Sequence, residues 1–363
     1  MFLPWHVPVP FGYDSRLAYR LDPFYPGRSQ AVNMVLWNAD ADSAGKYRAT
    51  ASLFIQGNIL GPIVPRGTRP GDSNDRIPHE DLRVLRALRV FCALTDQSGI
   101  RSDNSLDVYV GAEGQGHTVH YLLDFGEALG MHGANKERKW DGFEHFFPWK
   151  DTAVNFLRLG VPVRGWERFP VRQFDPRGSF EAAVFDPAEW KETHQFDPIR
   201  RSLPDDNYWA AKIVGALTRD HFETLFKAVE HPDPEYVQYL IDTLMLRKEK
   251  ILRHFLYRVS PLESAGVEGG ELKVEDIGRK LLPGDAGGSY RIEYYDSENH
   301  EIAAPAAVES RETQFGISVP NSAGDYLRID VLALREGEDA VRPVEFHLRS
   351  RSDGTFRLVG IVH

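Results

Sequence analysis

The sequence predicts an α+β protein, a mainly helical part interrupted by a β-hairpin and followed by a C-terminal β-sandwich. Three observations carry that prediction. Apolar residues recur at helical spacing through 79–96 and again through 205–257. Between them "SLDVYV" and "HTVHYLLDF" are β-like runs joined by the glycine-rich "GAEGQG", a hairpin signature. Beyond residue 260 the pattern changes to short alternating runs with turns between them. With 363 residues the chain exceeds what one compact core usually needs, so two domains are expected.

Residues 1–45 are rich in Pro, Gly, Asp and aromatics without a period of 2 or 3.6, which predicts an irregular arm. "KYRATASLFIQGNILG" (46–61) alternates and carries β-formers, predicting a strand and then a turn at Gly57-Asn58. Turn chemistry fills 65–78. In 79–96 acidic residues open a helix whose Leu82, Val84, Leu85, Leu88, Phe91 and Cys92 leave only Arg83, Arg86 and Arg89 as a polar stripe, so it is expected to be buried. The hairpin follows, and then a proline-punctuated, Trp-rich, loop-rich segment over 131–204. Three helices are expected at 205–218, 219–231 and 233–257, with Asp205 or Asp206 and then Asp233 ahead of Pro234 supplying caps. The domain division is therefore an arm (1–45), a helical domain with a hairpin (46–257) and a β-sandwich (260–363).

The composition, 42% hydrophobic and 26% charged with no apolar run near bilayer length, points to a soluble protein with no membrane span. A net charge of -10 argues against a nucleic-acid surface, which leans on clustered Lys and Arg. The single cysteine, Cys92, excludes an intrachain disulfide and a cysteine-rich zinc site, and reads as a small buried hydrophobe. "MFLPWHVPVPFGY" makes a poor signal peptide, so the default compartment is cytoplasmic. A start site upstream of Met1 would leave export open.

The chemistry-bearing stretch is "GIRSDNSLDVYVGAEGQGHTVHYLLDFG" (99–126). Asn104 stands directly before the first hairpin strand and Asp124 ends the second. Antiparallel pairing then brings an amide and a carboxylate to one end of the hairpin. Two hard oxygens facing one point suit Mg²⁺, which leaves its other positions to water and phosphate. Arg101 is placed to add positive charge to the same phosphate. A zinc reading of His117, His120 and Asp124 fails, because an offset of three along a strand sends the two imidazoles to opposite faces. "HEDL" (79–82) lacks the second His of a zinc-peptidase helix, and no Ser stands in a nucleophile elbow.

A buried helix, a loop ending in Asn, a hairpin and then Asp-Phe-Gly resembles the core of the protein-kinase-like fold, over roughly residues 79–130. The blocks N-S-L-D (104–107) and H-Y-L-L-D-F-G (120–126) also resemble those of an uncharacterised group of bacterial proteins. The kinase resemblance implies a reduced kinase-like helical lobe with Asn104 and Asp124 as Mg²⁺ ligands. It further implies Arg101 as a phosphate contact, Gly126 as the pivot after the metal-binding Asp, and ATP as the nucleotide. The departure is Gly99, which stands where the pattern has its catalytic base. Asp96, Asp103 or Asp107 are the substitutes in reach. No G-x-G-x-x-G loop and no V-A-I-K strand is present, so the lobe that covers ATP is absent or reduced. The expected function is a degenerate relative that binds Mg-nucleotide or phosphate with weak or no phosphotransfer. The alternatives are an active atypical ATP-dependent phosphotransferase, and a non-enzymatic structural or interaction module that meets a protein partner through its C-terminal domain.

Overall fold

The computed structural model describes residues 2–4, 45–48, 55–70, 72–132, 135–136, 140–145, 153, 156–157, 165–168, 180–229, 231, 233–282, 288–320, 324–334 and 341–363. The chain divides into two compact units, Met1–Gly57 and Asn58–His363. Within the first, β1 (Phe2–Pro4) pairs antiparallel with β2 (Lys46–Arg48), so a strand stands inside the expected irregular arm. Most of the arm lies outside the described residues.

The second unit opens with β3 (Asn58–Gly61), where the sequence predicts a turn. Asn58 instead pairs with Tyr109 of β4 (Ser105–Val110). β4 pairs in turn with β5 (His117–Leu122), in a register running from Ser105 opposite Leu122 to Val110 opposite His117. This is the predicted hairpin, and Gly111 (φ 112°) and Gly114 (φ 74°) adopt the left-handed backbone its turn requires.

The helix expected over 79–96 is a 3₁₀ turn (His79–Asp81) followed by α1 (Arg83–Arg86) and α2 (Leu88–Thr95). Hydrophobic spacing persists across the break at Ala87, so the pattern reads as one helix. Burial splits the stripe: Leu85, Val90, Cys92, Ala93 and Leu94 are buried, while Val84 is 52% exposed. Short elements follow, β6 (Met131–His132) paired with β7 (Asn135–Lys136), then α3 (Gly165–Arg168) and α4 (Asp197–Arg200). Much of the predicted loop-rich segment lies outside the described residues. The three expected helices are α5 (Pro204–Gly215), α6 (Arg219–Val229) and α7 (Pro234–Phe255). Asp233 caps α7, its Oδ1 accepting from the Tyr236 amide at 3.0 Å. Asp206 accepts from the Leu203 amide (2.9 Å) and also takes a two-pronged ion pair from Arg86 (2.7 and 3.0 Å), which ties α5 to α1. Val90, Ala93, Tyr208, Ala211, Val214, Leu244 and Ile251 interlock in one hydrophobic cluster.

The C-terminal part is an antiparallel sheet region. β8 (Leu262–Glu268), β9 (Glu271–Asp276) and β12 (Gln314–Ser318) form one sheet, and α8 (Ile277–Leu281) follows β9. β10 (Gly288–Tyr295), β11 (Glu301–Ser310), β13 (Tyr326–Leu334), β14 (Val344–Ser350) and β15 (Phe356–Val362) form the second, in the order β11-β10-β13-β14-β15. Leu272, Val274 and Ile317 of the first sheet bury against the same cluster as Ile292, Ile329, Phe346 and Leu348 of the second. Period-2 alternation with one dry face is what such packing demands. The last hairpin turns through Asp353-Gly354 as expected, with Gly354 at φ 79°. Apart from Leu281 and Leu282, which pack with the helical cluster, the two hydrophobic clusters part near residue 260; the helical and sheet regions belong to one compact unit and also share polar contacts. Lys212 and Tyr208 of α5 both reach Glu263 of β8. Among the described residues no helix is long and apolar enough to cross a membrane.

Candidate functional site

The open end of the β4–β5 hairpin gathers most of the sequence-predicted residues. Ser102–Asn104 is a 3₁₀ turn leading into β4, and the Leu123 amide donates to the Asn104 carbonyl at 3.1 Å, extending the ladder one step past Leu122. Asn104 and Asp124 thus stand at one end of the hairpin. The Asn104 Nδ2 donates to the Gly99 carbonyl (2.9 Å), which leaves its Oδ1 as the acceptor end of the amide. Asp124 is exposed; its Oδ1 accepts from the Gly126 amide (2.8 Å), an Asx turn that bends the chain. The Asp124 carbonyl accepts from Nε2 of the buried Gln97 at 2.6 Å, which pins the turn to the end of α2. Two oxygen donors on adjacent backbone segments, one an exposed carboxylate, suit a hard cation that keeps most of its water. Among the described residues no group of three or more His, Cys, Asp and Glu could hold a metal ion, so any cation here would take water or phosphate for its remaining positions.

The other expected residues divide. Arg101 Nε lies 2.9 Å from the exposed Asp103 carboxylate, one residue from Asn104. Gly126 contributes its backbone amide to the Asp124 turn. Asp96 does not fit the role of substitute base. It caps α2 at φ 58°, and both its oxygens are engaged in the interior: Oδ1 by the Trp190 indole (2.8 Å) and Oδ2 by Arg247 (3.1 Å). Arg247, only 2% exposed, also donates to the Ala93 and Glu181 carbonyls and stacks over Phe185 with 3.8 Å from its guanidinium carbon to the ring centre. A carboxylate so held anchors three chain segments.

Gly99 leaves no empty space. A Cβ there would stand 2.6 Å from both the carboxyl carbon and Oε2 of Glu127, a half-buried residue one position past Gly126. The Ser98 hydroxyl donates to the same Oε2 at 3.4 Å.

Halfway along the hairpin lies a second polar cluster. Asp107, fully buried, accepts from Arg69 Nε (3.1 Å) and Nη2 (2.7 Å) and from His120 Nδ1 (2.6 Å) on the facing strand. Burial alone would raise its pKa, but these donors outweigh it and hold the carboxyl below its ordinary value. The His120 ring meets that of the buried His79 edge-on at 5.0 Å. Both His79 nitrogens face acceptors, the Val64 carbonyl (2.6 Å) and Asp75 (2.9 Å). This network fastens the turn-rich segment 62–81 to the sheet. His117, as the strand period requires, pairs at the other face's register and is exposed.

Comparison of the chain with protein-family models, with curated proteins and with solved structures returned no match. The site therefore stands on its own geometry.

Two residues escaped the sequence reading. His120 as the partner of Asp107 was available from the hairpin register, since a Ser105–Leu122 pairing puts residues 107 and 120 opposite each other. Glu127 had no such signal, because its approach to Gly99 depends on the turn after Asp124. Burial pushes the Cys92 thiol up to about 12, which fits the inert role read from the sequence. A cavity of about 540 Å³ opens beside α6 and α7, lined by Arg219, Asp242, Lys248 and Leu281 among others, and none of the expected site residues borders it.

Proposed function

We propose that this chain is a reduced relative of the protein-kinase-like fold, and that the open end of its β4–β5 hairpin binds a Mg-nucleotide with weak or no phosphotransfer. The observation that supports the reading is the Leu123–Asn104 backbone bond, which brings the Asn104 and Asp124 segments together at the open end of the hairpin. Asn104 and Asp124 would hold Mg²⁺, and the bound ion would neutralise the charge of the nucleotide phosphates. Arg101 would add a guanidinium to the same anion. The two-sheet C-terminal region, read as a β-sandwich, would offer the surface for a protein partner.

The test is thermal unfolding with Mg-ADP. A native-state ligand at about 100 times its Kd stabilises by about 2.7 kcal/mol, so the melting temperature should rise by several degrees. Asp124→Asn and Asn104→Ala should each abolish the rise. A flat wild-type response, or a rise that both variants keep, overturns the reading. A non-enzymatic scaffold is the second reading, favoured by the engagement of both Asp96 oxygens inside the core. It expects no response to nucleotide at all.

A further inference from the structure

The cavity beside α6 and α7 is built apart from the hairpin, and its lining carries one charge that no partner balances. At about 540 Å³ it has the size of a small-molecule site. Leu252 of α7, Leu281 at the end of α8 and Leu282 just beyond it form an apolar wall. Gly215, the last residue of α5, lets that wall lie back against the helix. A Cβ there would stand 2.5 Å from Leu281 Cδ1 and 3.3 Å from Leu252 Cδ2. Any larger residue at 215 would press Leu281 toward the space it lines.

The charged lining residues fall into two pairs and a remainder. Arg219 Nη2 meets Asp242 Oδ1 at 2.5 Å, and Arg253 Nη2 meets Glu249 Oε1 at 2.9 Å. Both pairs are exposed and cancel their own charge. The remainder is Lys248, half-buried, whose Nζ donates to the Leu217 carbonyl just past the end of α5. That carbonyl takes one of three ammonium donors and brings no counter-charge. Among the described residues no carboxylate pairs with Lys248, and burial pulls its pKa below the ordinary lysine value with no opposing charge to restore it.

We propose that this cavity binds a small alkyl carboxylate, its carboxylate on the Lys248 ammonium and its chain along Leu252, Leu281 and Leu282. The lining sets the chemistry. Three cations against two carboxylates leave one positive charge, which calls for a monoanion. Among the described residues the lining holds no aromatic ring, so an alkyl body fits it without a stacking partner. An incoming carboxylate supplies the counter-charge that Lys248 lacks, through a charge-assisted hydrogen bond in a partly dehydrated place. The assignment shares no residue with the Mg-nucleotide reading and stands or falls without it.

The test titrates the full chain with octanoate by calorimetry at neutral pH, with butyrate and 1-octanol as comparisons. Octanoate should bind with a Kd below about 1 mM. It should bind at least about tenfold more tightly than butyrate, because each buried methylene adds to the transfer free energy. It should also exceed octanol, which has the chain without the charge, by about tenfold or more. Lys248→Met keeps the apolar stem and removes the cation; it should lose about tenfold or more for octanoate and no longer distinguish it from octanol. Lys248→Arg returns the cation and should recover most of that loss. In methyl NMR spectra octanoate should shift Leu252, Leu281 and Leu282. A wild-type Kd above about 1 mM overturns the proposal. So does octanol or butyrate matching octanoate, or wild-type octanoate affinity in Lys248→Met. If Lys248→Arg binds no better than Lys248→Met, the residue shapes the wall without supplying charge, and the proposal falls. Methyl shifts confined to other residues put the ligand elsewhere and overturn it as well.

Discussion

Asp107 and Asp124 belong to the same hairpin and live in opposite conditions. Asp107, at mid-strand, is fully buried and takes bonds from Arg69 and His120, while Asp124, at the open end, is exposed and its side chain accepts from one backbone amide. A buried carboxylate is tolerated when its charge and lone pairs are met by neighbouring donors. A carboxylate with an oxygen to spare at the mouth of a loop contributes little to stability and keeps its capacity for a ligand. Asp96 stands with Asp107.

Variants can break that contrast, and the largest effect is expected inside the core. Arg247→Leu strands Asp96 without its guanidinium, and the loss should be about 3–5 kcal/mol in urea unfolding. A loss below 1 kcal/mol would mean that Asp96 relaxes to solvent and is not a closed carboxylate. Asp107→Asn keeps the volume but leaves Arg69 without a counter-charge, at a cost of about 3 kcal/mol by the same assay.

Glu263 lies between the extremes. Burial would raise its pKa, but hydrogen bonds from His363 and Lys212 prevail and bring it to about 2 from the usual 4.5. A depressed folded value stabilises above the unfolded pKa and is lost as pH falls through the folded one. Wild type should therefore lose about 2 kcal/mol more than Glu263→Gln between pH 5 and pH 2, after discounting for its partial exposure. Equal acid sensitivity of the two chains would remove Glu263 from the joint between the helical and sheet regions.

At the open end the expectation reverses. Asp124→Asn should change unfolding free energy by less than about 0.5 kcal/mol while abolishing the Mg-ADP response, whereas destabilisation like that of Asp107→Asn would erase the contrast. Asp103→Asn should be nearly silent in both assays, because an exposed ion pair such as Arg101–Asp103 contributes about 0–1 kcal/mol.

Whatever short-range rules govern was legible in the sequence. Helical spacing and caps located α5, α6 and α7, glycine turns and alternation located the hairpin and the C-terminal strands, and the hairpin in turn set Asn104 and Asp124 at one end. It misread 79–96 as one helix because apolar spacing continues across Ala87. It also treated residues 2–4 as irregular, since a three-residue strand has no detectable period. The tertiary structure alone decided which carboxylates are closed and which remain open. Asp96 meets Arg247 across 151 residues and Asp107 meets Arg69 across 38, and Glu127 reaches Gly99 only through the turn that follows Asp124. Charge pairing over such separations follows from packing and leaves no period in the chain, so the same residue type, Asp, reads alike in sequence whether it ends as a buried anchor or as an open ligand.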